Sequence, residues 1–454
     1  MLINKETSYH YAKYLWMHLF LYWIKDAFIV YHSPAWCKKK SEFTLSPNDF
    51  NFNENHYFDN YINNVESIFW TEDSLINSIR GILNKKSFSV IYIITTDVAE
   101  IIWFDVTQVI NVLKKDFLDV DFIYLQWQAI GWDLYDWYKD TLYNTLLNIN
   151  TYNNNLVKKN PNSLNIFWYF FHRYEWDFFW DYNEIKSILN EIWISLEIFF
   201  PWKNTYTSLS KSLYISNKTI IFNYLFNDDV INLFNNKFNQ NINIVNLPIW
   251  INNTINFIKR IKKLFLISEI DINNYIEIKL KKIIPKINLL SQVLLWKKFW
   301  IVWDSQKLIG FLDLYLDIWM VPKFLIILDS NDNILNDIDS LLNHYNFLED
   351  VNIFINIDRN EINSIINNEK YDLDILLWSS IEKAHLKLDI KFLEVFFPMI
   401  TKHFINEYSY LWFNWVLNIL TDTYNLLNKL EYYNLSNSLW SLMWDFTFYH
   451  NIDD

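Results

Sequence analysis

The chain has 454 residues, enough for roughly two to four domains, and it carries a formal net charge of −13 at pH 7. That charge argues against a nucleic-acid partner, which would need a basic binding face. Cys37 is the single cysteine, so the sequence excludes a disulfide within the chain and any metal site made of several cysteines of this subunit alone.

The first apolar stretch, 14–31, is interrupted by Lys25 and Asp26, so it predicts a helix and a buried strand rather than a membrane span. No secretory signal is evident, and we expect a cytoplasmic protein with no membrane partner.

Farther along, runs rich in Ile, Val, Phe and Tyr alternate with longer amphipathic stretches, which is typical of βαβ units. Strands are predicted at 27–31, 89–95, 121–125, 164–170, 194–200, 219–225, 299–302, 323–328, 351–356, 373–377 and 392–397. Helices are predicted at 99–115, 134–148, 182–191, 304–316 and 406–429.

Two breaks divide this series of elements. The Asn-rich segment 149–162, which contains Pro161, indicates a linker, and a second break is expected near Pro285. We therefore predict an α/β protein of three Rossmann-like domains, with mainly parallel sheets flanked by helices. The predicted domains are 1–155, 156–290 and 291–454.

The balance of tryptophan and glycine is unusual, with 23 tryptophans and only three glycines. Globular proteins average about 7% glycine, because glycine adopts positive φ at little steric cost. Several tryptophans occupy glycine-type positions, namely Trp36 in a tight loop, Trp193 at a helix C-cap and Trp202 after Pro201, together with Trp103 and Trp132. We interpret many of the tryptophans as glycines. Their codons would be UGA, which encodes glycine in some organisms and is here translated as tryptophan. A truly tryptophan-rich chain is the alternative.

When tryptophan is replaced by glycine, two segments carry specific motifs. Residues 21–37 read LYWIKDAFIVYHSPAWC and resemble a Gly-Ile-x-Asp-Ala strand that runs into a His-Gly-Pro-x-Gly-Cys loop. Residues 93–105 read IITTDVAEIIWFD and resemble Thr-Thr-Cys-x-x-Glu-x-Ile-Gly-Asp-Asp. Weaker similarity continues at 126–137 and 166–177, and again at 396–398. On these segments the chain resembles the component 1 family of nitrogenases, which includes the dark-operative protochlorophyllide reductase subunits.

The resemblance implies an iron–sulfur cluster that lies between two homologous subunits and is held by cysteines at the ends of such strands. Thiolates suit this role because iron–sulfur clusters are soft-ligand sites. Cys37 matches one of these ligands, Asp97 stands at the position of a second, and no cysteine matches the first. The resemblance thus implies Cys37 and Asp97 as metal ligands, with Thr96 and His32 beside them in the cofactor site. Further thiolates would come from the partner subunit.

Each candidate also has an ordinary structural interpretation. A lone cysteine such as Cys37 is often a small buried hydrophobic residue, and Asp97 between a strand and a helix is an expected N-cap. His32 fits a structural histidine, while Glu100 and Asp105 fit charges on the first turn and solvated face of a helix. Because α/β sheets gather their sites at the carboxyl ends of strands, we nevertheless expect Thr96, Asp97 and Cys37 to lie close together.

The function implied by the resemblance is that of a subunit in an oxidoreductase complex, with a homologous component 1 subunit as one partner and an ATP-dependent iron protein reductase as the other. The chain contains no phosphate-binding loop, so it is not itself the ATP-hydrolysing reductase. A non-catalytic scaffold or assembly subunit is a second interpretation, and a metal-free α/β protein that binds a small molecule is a third. The sequence does not identify the substrate.

Overall fold

The computed structural model places the strands in three separate sheets. It describes residues 17, 20–34, 57–62, 72–96, 104–126, 134–149, 158–167, 175–200, 204–223, 228–328, 333–345, 351–369, 373–380, 383, 390–396, 399, 401–402, 407–409, 411, 413 and 416–428. All strand pairs within this part of the chain are parallel. The predicted class, α/β with parallel sheets flanked by helices, is confirmed.

The first sheet has four strands in the order β2-β1-β3-β4. The strands are β1 (Ala27–Ser33), β2 (Tyr57–Tyr61), β3 (Val90–Thr95) and β4 (Asp121–Leu125), and the helices are α1 (Glu72–Leu83), α2 (Val106–Asp116) and α3 (Leu134–Asn148). Every residue of β1 and β3 is buried, as expected for central strands of a parallel sheet that is covered on both faces. Phe28 and Ile93 face the core formed with α1 and α2, whereas Ile29 and Tyr92 face the core that includes α3.

The second sheet repeats this topology, in the order β6-β5-β7-β8. Its strands are β5 (Ser163–Phe167), β6 (Ser195–Phe200), β7 (Lys218–Phe222) and β8 (Asn241–Val245). The helices of this region are α4 (Glu175–Glu191), α5 (Tyr206–Ile215), α6 (Asp228–Phe238), α7 (Trp250–Phe265) and α8 (Glu269–Leu294). Buried apolar side chains of the second sheet belong to the same core cluster as α3 of the first region, so the two regions pack through apolar contacts.

The third sheet has five strands in the order β11-β10-β9-β12-β13. They are β9 (Lys298–Trp303), β10 (Val321–Ile327), β11 (Asn352–Ile355), β12 (Ile375–Ser379) and β13 (Phe392–Phe396). The helices are α9 (Ser305–Asp317), α10 (Asn333–His344) and α11 (Arg359–Glu369), and residues 416–428 are also helical. Helix α9 is buried over most of its length, which makes it the central helix of this region.

Two expectations from the sequence are wrong. Pro285 does not mark a break, because it lies inside the 26-residue helix α8, whose other turns remain hydrogen-bonded. The predicted helix 99–115 is not continuous, since Phe104 and Asp105 are not helical and Asp105 is the N-cap of a helix that starts at Val106; residues 99–103 lie outside the described residues. The three sheets use residues 27–125, 163–245 and 298–396, while the domain boundaries themselves stay a prediction. None of the helices in the described part of the chain is long and apolar enough to cross a membrane.

Candidate functional site at the carboxyl edge of the first sheet

The predicted cofactor residues follow two neighbouring strands of the first sheet. His32 on β1 is the register partner of Thr95 on β3, so both strands end at the same edge. In a sheet of order 2-1-3-4, the connections leave β1 and β3 toward opposite sides, which is where open α/β sheets form their ligand crevice. Cys37 and Asp97 come shortly after these strand ends in sequence and lie outside the described residues.

His32 is held by a hydrogen-bond network at this edge. The Asn60 side chain on β2 donates from Nδ2 to His32 Nδ1 at 3.0 Å, and Ser78 Oγ on α1 donates to Asn60 Oδ1 at 3.1 Å. Because an amide nitrogen only donates, Nδ1 accepts, and the neutral ring carries its proton on Nε2. The ring also packs against Phe104, with centroids 4.4 Å apart. His32 is therefore fully buried and fixed in orientation.

The two threonines at the end of β3 differ in their partners. Thr95 Oγ1 lies 2.9 Å from the hydroxyl of Tyr124 on β4, so it is satisfied within the sheet. Thr96 is also buried, yet its Oγ1 has no hydrogen-bond partner among the residues that the structure describes. Buried hydroxyls are normally hydrogen-bonded, so Thr96 marks a place where a further polar group is expected.

Acidic residues beside this edge stabilise helix ends. Asp105 accepts a hydrogen bond at Oδ1 from the backbone N–H of Gln108 at 3.0 Å, which caps α2. The backbone N–H of Asp105 donates to Glu72 Oε1 at 3.1 Å, and Glu72 begins α1. Asp105 thus has a structural role in this position. Glu100 lies outside the described residues.

Asp26, which belongs to the motif at 21–37, lies at the opposite edge of the sheet. Its carboxylate accepts hydrogen bonds from the backbone N–H of Tyr206 at 2.5 Å and from Thr207 Oγ1 at 2.6 Å. These residues form the first turn of α5, where a negative charge is favoured by the helix dipole. Asp26 therefore joins the first and second sheet regions and is not part of the candidate site.

Two phenols near Asp26 are held in the protonated state. Burial raises the pKa of Tyr92, whose hydroxyl lies 3.0 Å from Thr145 Oγ1. Burial and then the negative charge of Asp121 raise the pKa of Tyr206, which donates to Asp121 Oδ2 at 2.8 Å. Both groups act as hydrogen-bond partners rather than as acids or bases at neutral pH.

The donor set of this chain can supply only part of an iron–sulfur site. Within the described ranges, no group of three or more His, Cys, Asp or Glu residues could hold a metal ion. The chain offers one thiol, Cys37, and the described edge contributes hydroxyls and an imidazole whose Nδ1 is already bonded. Such a set fits one side of a shared cluster and does not fit a complete cluster held by this chain alone.

Comparison with known proteins agrees with this architecture. The family model for nitrogenase component 1 type oxidoreductases matches residues 18–428. The chain belongs to this family. The solved structure "Nitrogenase Cp1 at pH 6.5" shares 15% sequence identity with this component 1 protein, with a TM-score of 0.76 and 91% of each chain covered. "Nitrogenase Cp1 at pH 5" shares 12%, with a TM-score of 0.71 and coverage of 94% of this chain and 90% of the other. At these identities the likeness shows the fold, and no curated protein matches the sequence.

The sequence of this component 1 protein did not reveal the residues that hold His32. Asn60 lies on β2, a strand that was not predicted because it carries Asp59 and Asn60, residues that are depleted in strands. Tyr124 was within a predicted strand, but its pairing with Thr95 needs the order of strands in the sheet. The three aromatic residues Tyr57, Phe58 and Tyr61 were the only local signal for β2.

Proposed function

We propose that this component 1 protein is one subunit of an iron–sulfur oxidoreductase complex in which a separate, ATP-dependent iron protein supplies electrons. A cluster shared with a homologous subunit lies at the carboxyl edge of β1 and β3, where Cys37 supplies a thiolate and Asp97 a carboxylate. The cluster, when bound, supplies one-electron transfer.

The observation that carries this proposal is the register between β1 and β3. His32 and Thr95 are partners on adjacent parallel strands, which lie about 4.8 Å apart. The loops that contain Cys37 and Asp97 therefore start side by side at the crevice of the sheet. The buried hydroxyl of Thr96, which has no partner among the described residues, supports the same location for the cluster, since a bound group or a partner chain would complete its hydrogen bonding.

The shared site also explains the need for a partner subunit. One thiolate and one carboxylate leave most iron positions of a cluster without protein ligands, so thiolates from a homologous subunit must complete the set. The electron donor must be a separate protein, because this chain contains no G-x-x-x-x-G-K-[ST] loop that could hold ATP phosphates. Asn60 fixes the orientation of His32 at this edge, and Nδ1 of the ring is already hydrogen-bonded.

Iron content of the native complex tests this function. The complex is purified without oxygen from its own cells by a tag on this chain, as wild type and as Cys37→Ala. Ser87→Ala, an exposed residue in the turn before β3, serves as the matched control. We expect iron and visible absorbance in the wild type and the control, and loss of most iron in Cys37→Ala with unchanged circular dichroism.

Other outcomes would separate the alternatives. Equal iron in the wild type and Cys37→Ala would show that Cys37 is a core residue and that the cluster, if any, lies elsewhere. A wild-type complex without iron would contradict the electron-transfer proposal. A stable complex with the homologous subunit would then favour the scaffold or assembly role, whereas absence of any partner would favour the small-molecule-binding interpretation.

A further inference from the structure

Most residues with a left-handed backbone are of types that rarely adopt this conformation. Within the described part of the chain, positive φ occurs at seven non-glycine positions: Trp193, Asn239, Trp250, Leu266, Trp296, Trp319 and Asn356. Asparagine tolerates this region, but a bulky residue there is an outlier because its Cβ crowds the following carbonyl oxygen. Four of the seven are tryptophan, although tryptophan supplies only 23 of 454 residues.

We propose that Trp193, Trp250, Trp296 and Trp319 are glycine in the protein made by its own cells, which decode UGA as glycine. Glycine is the residue that adopts this backbone without steric cost. The inference concerns the identity of these residues and does not depend on the function proposed above.

Two of the four sites are complete helix C-terminal motifs. After α4, Ile194 N–H donates to Leu189 O at 2.9 Å and Trp193 N–H donates to Asn190 O at 3.1 Å. After α9, Met320 N–H donates to Tyr315 O at 2.9 Å, and Trp319 N–H donates to Leu316 O at the same distance. Both are Schellman motifs, with φ of 63° at Trp193 and 64° at Trp319. The left-handed C′ position of this motif is most often glycine.

The indoles at three of these positions are largely exposed, and the rings of Trp296 and Trp319 lie edge to face with centroids 5.9 Å apart. Trp193 is 88% exposed, Trp296 is 56% exposed and Trp319 is 46% exposed. The backbone N–H of Trp296 donates to the carbonyl of Trp319 at 2.8 Å, so two turns meet closely at their backbones. Close backbone approach between two turns is a further reason for glycine at both positions.

Two further observations concern buried tryptophans. Trp250 begins α7 with φ of 71°, and its indole donates to Asp317, which would still accept hydrogen bonds from Asn252 and Tyr345 if residue 250 were glycine. Trp300 and Trp378 are completely buried, and their indole N–H groups have no partner among the described residues. Buried donors of this kind are costly, and glycine removes them.

The residues recorded as glycine occupy different places. Gly81 and Gly310, the two glycines in the described ranges, lie inside helices α1 and α9 without a left-handed backbone. Gly310 is needed for close packing, since a Cβ there would lie 2.4 Å from Ile249 Cβ. Tryptophan therefore occupies the turns that usually contain glycine. This is expected if UGA and the standard glycine codons both encode glycine.

Peptide mass spectrometry of the protein from its own cells decides the proposal. The tryptic peptides 187–203, 238–259, 287–297 and 308–323 contain residues 193, 250, 296 and 319. We expect UGA at these codons and glycine masses in all four peptides. UGG codons, or a tryptophan mass at residue 193, 250, 296 or 319, would overturn the proposal.

Recombinant variants test the conformational argument separately. Trp193→Gly is compared with Trp193→Ala, which removes the indole without giving the freedom of glycine, and with Leu118→Gly. Leu118 is also 88% exposed but is not among the left-handed residues. We expect the urea midpoint to be higher for Trp193→Gly than for Trp193→Ala, and unchanged or lower for Leu118→Gly. Equal midpoints for Trp193→Gly and Trp193→Ala would contradict the backbone argument.

Discussion

The side-chain amide of Asn60 lies 3.0 Å from Nδ1 of His32 and holds this buried ring from the neighbouring strand. The edge strand β2 thereby fixes a side chain at the end of the central strand β1. Since the loop to Cys37 starts just after His32, the contact links the order of the first sheet to the candidate site.

Replacing Asn60 tests this link. Asn60→Ala removes its hydrogen bonds with the buried imidazole of His32 and with Ser78, so we expect a loss of about 1–3 kcal/mol in the free energy of unfolding, measured by urea titration. Asn84→Ala, an exposed position after α1, is the control and should have little effect. A loss for Asn60→Ala no larger than that of the control would argue against the network.

Thr96→Val tests whether the buried hydroxyl forms a hydrogen bond in the assembled complex. Valine keeps the shape of threonine and removes a hydroxyl that has no partner among the described residues, so the isolated chain should be equally stable or more stable. If a ligand or partner satisfies Oγ1, the same variant should lower the iron content of the assembled complex. Thr95→Val is the comparison, because it breaks the contact with Tyr124 and should destabilise the isolated chain. An unchanged complex would show that Thr96 is only a packing residue.

Asp26→Ala should weaken the contact between the first and second sheet regions. The carboxylate accepts charge-assisted hydrogen bonds at the start of α5, and their loss is expected to cost about 1.5–3 kcal/mol. Asp116→Ala is the matched control, since Asp116 forms an exposed ion pair with Arg80 and should cost no more than about 1 kcal/mol. Thermal unfolding and limited proteolysis measure both, and similar losses would contradict the prediction.

The buried carboxyl group of Asp313 should make the free energy of unfolding depend on pH. Burial, followed by the negative charge of Asp317, raises the pKa of Asp313 to about 7, and the hydrogen bond from Asn252 opposes the shift. The folded pKa exceeds the unfolded value of about 3.9, so the folded state binds more protons between these values and stability falls as pH rises from about 4 to about 7. Asp313→Asn should therefore raise the urea midpoint at pH 8 and change it little at pH 4.

The matched control for this pH profile is Asp229→Asn, which removes the same charge from an exposed residue at the start of α6. A parallel gain in both variants at pH 8 would mean that net charge, rather than burial of Asp313, sets the pH dependence. A gain in Asp313→Asn that is equal at pH 4 and pH 8 would exclude titration of this carboxyl group.

The sequence predicted the central elements best. Strands β1 and β3 are continuous apolar runs buried on both faces, which identifies them without knowledge of their neighbours. Strand β8 was missed although Asn241, Ile242, Asn243 and Ile244 alternate as a half-buried edge strand should. The long helix α8 was not predicted, because a proline inside a helix is disfavoured and Pro285 therefore indicated a break.

The candidate site was predictable only in part, because its contacts join distant segments. The motif places His32 and Thr96 near strand ends, and the parallel order brings those ends together. Asn60 is 28 residues from His32, and nothing in the sequence pairs them. That Thr96 Oγ1 lacks a partner in the described part of the chain likewise depends on packing in three dimensions.

The contact between Asp26 and α5 has a consequence during synthesis. The two partners are 180 residues apart, and domains of a growing chain fold from the N-terminus as they leave the ribosome. The first sheet can pair its four strands once β4 has emerged, but the hydrogen bonds from α5 to Asp26 cannot form until residues 206 and 207 have also emerged. A ribosome that stalls before residue 206 would thus hold the first sheet without its contact to α5.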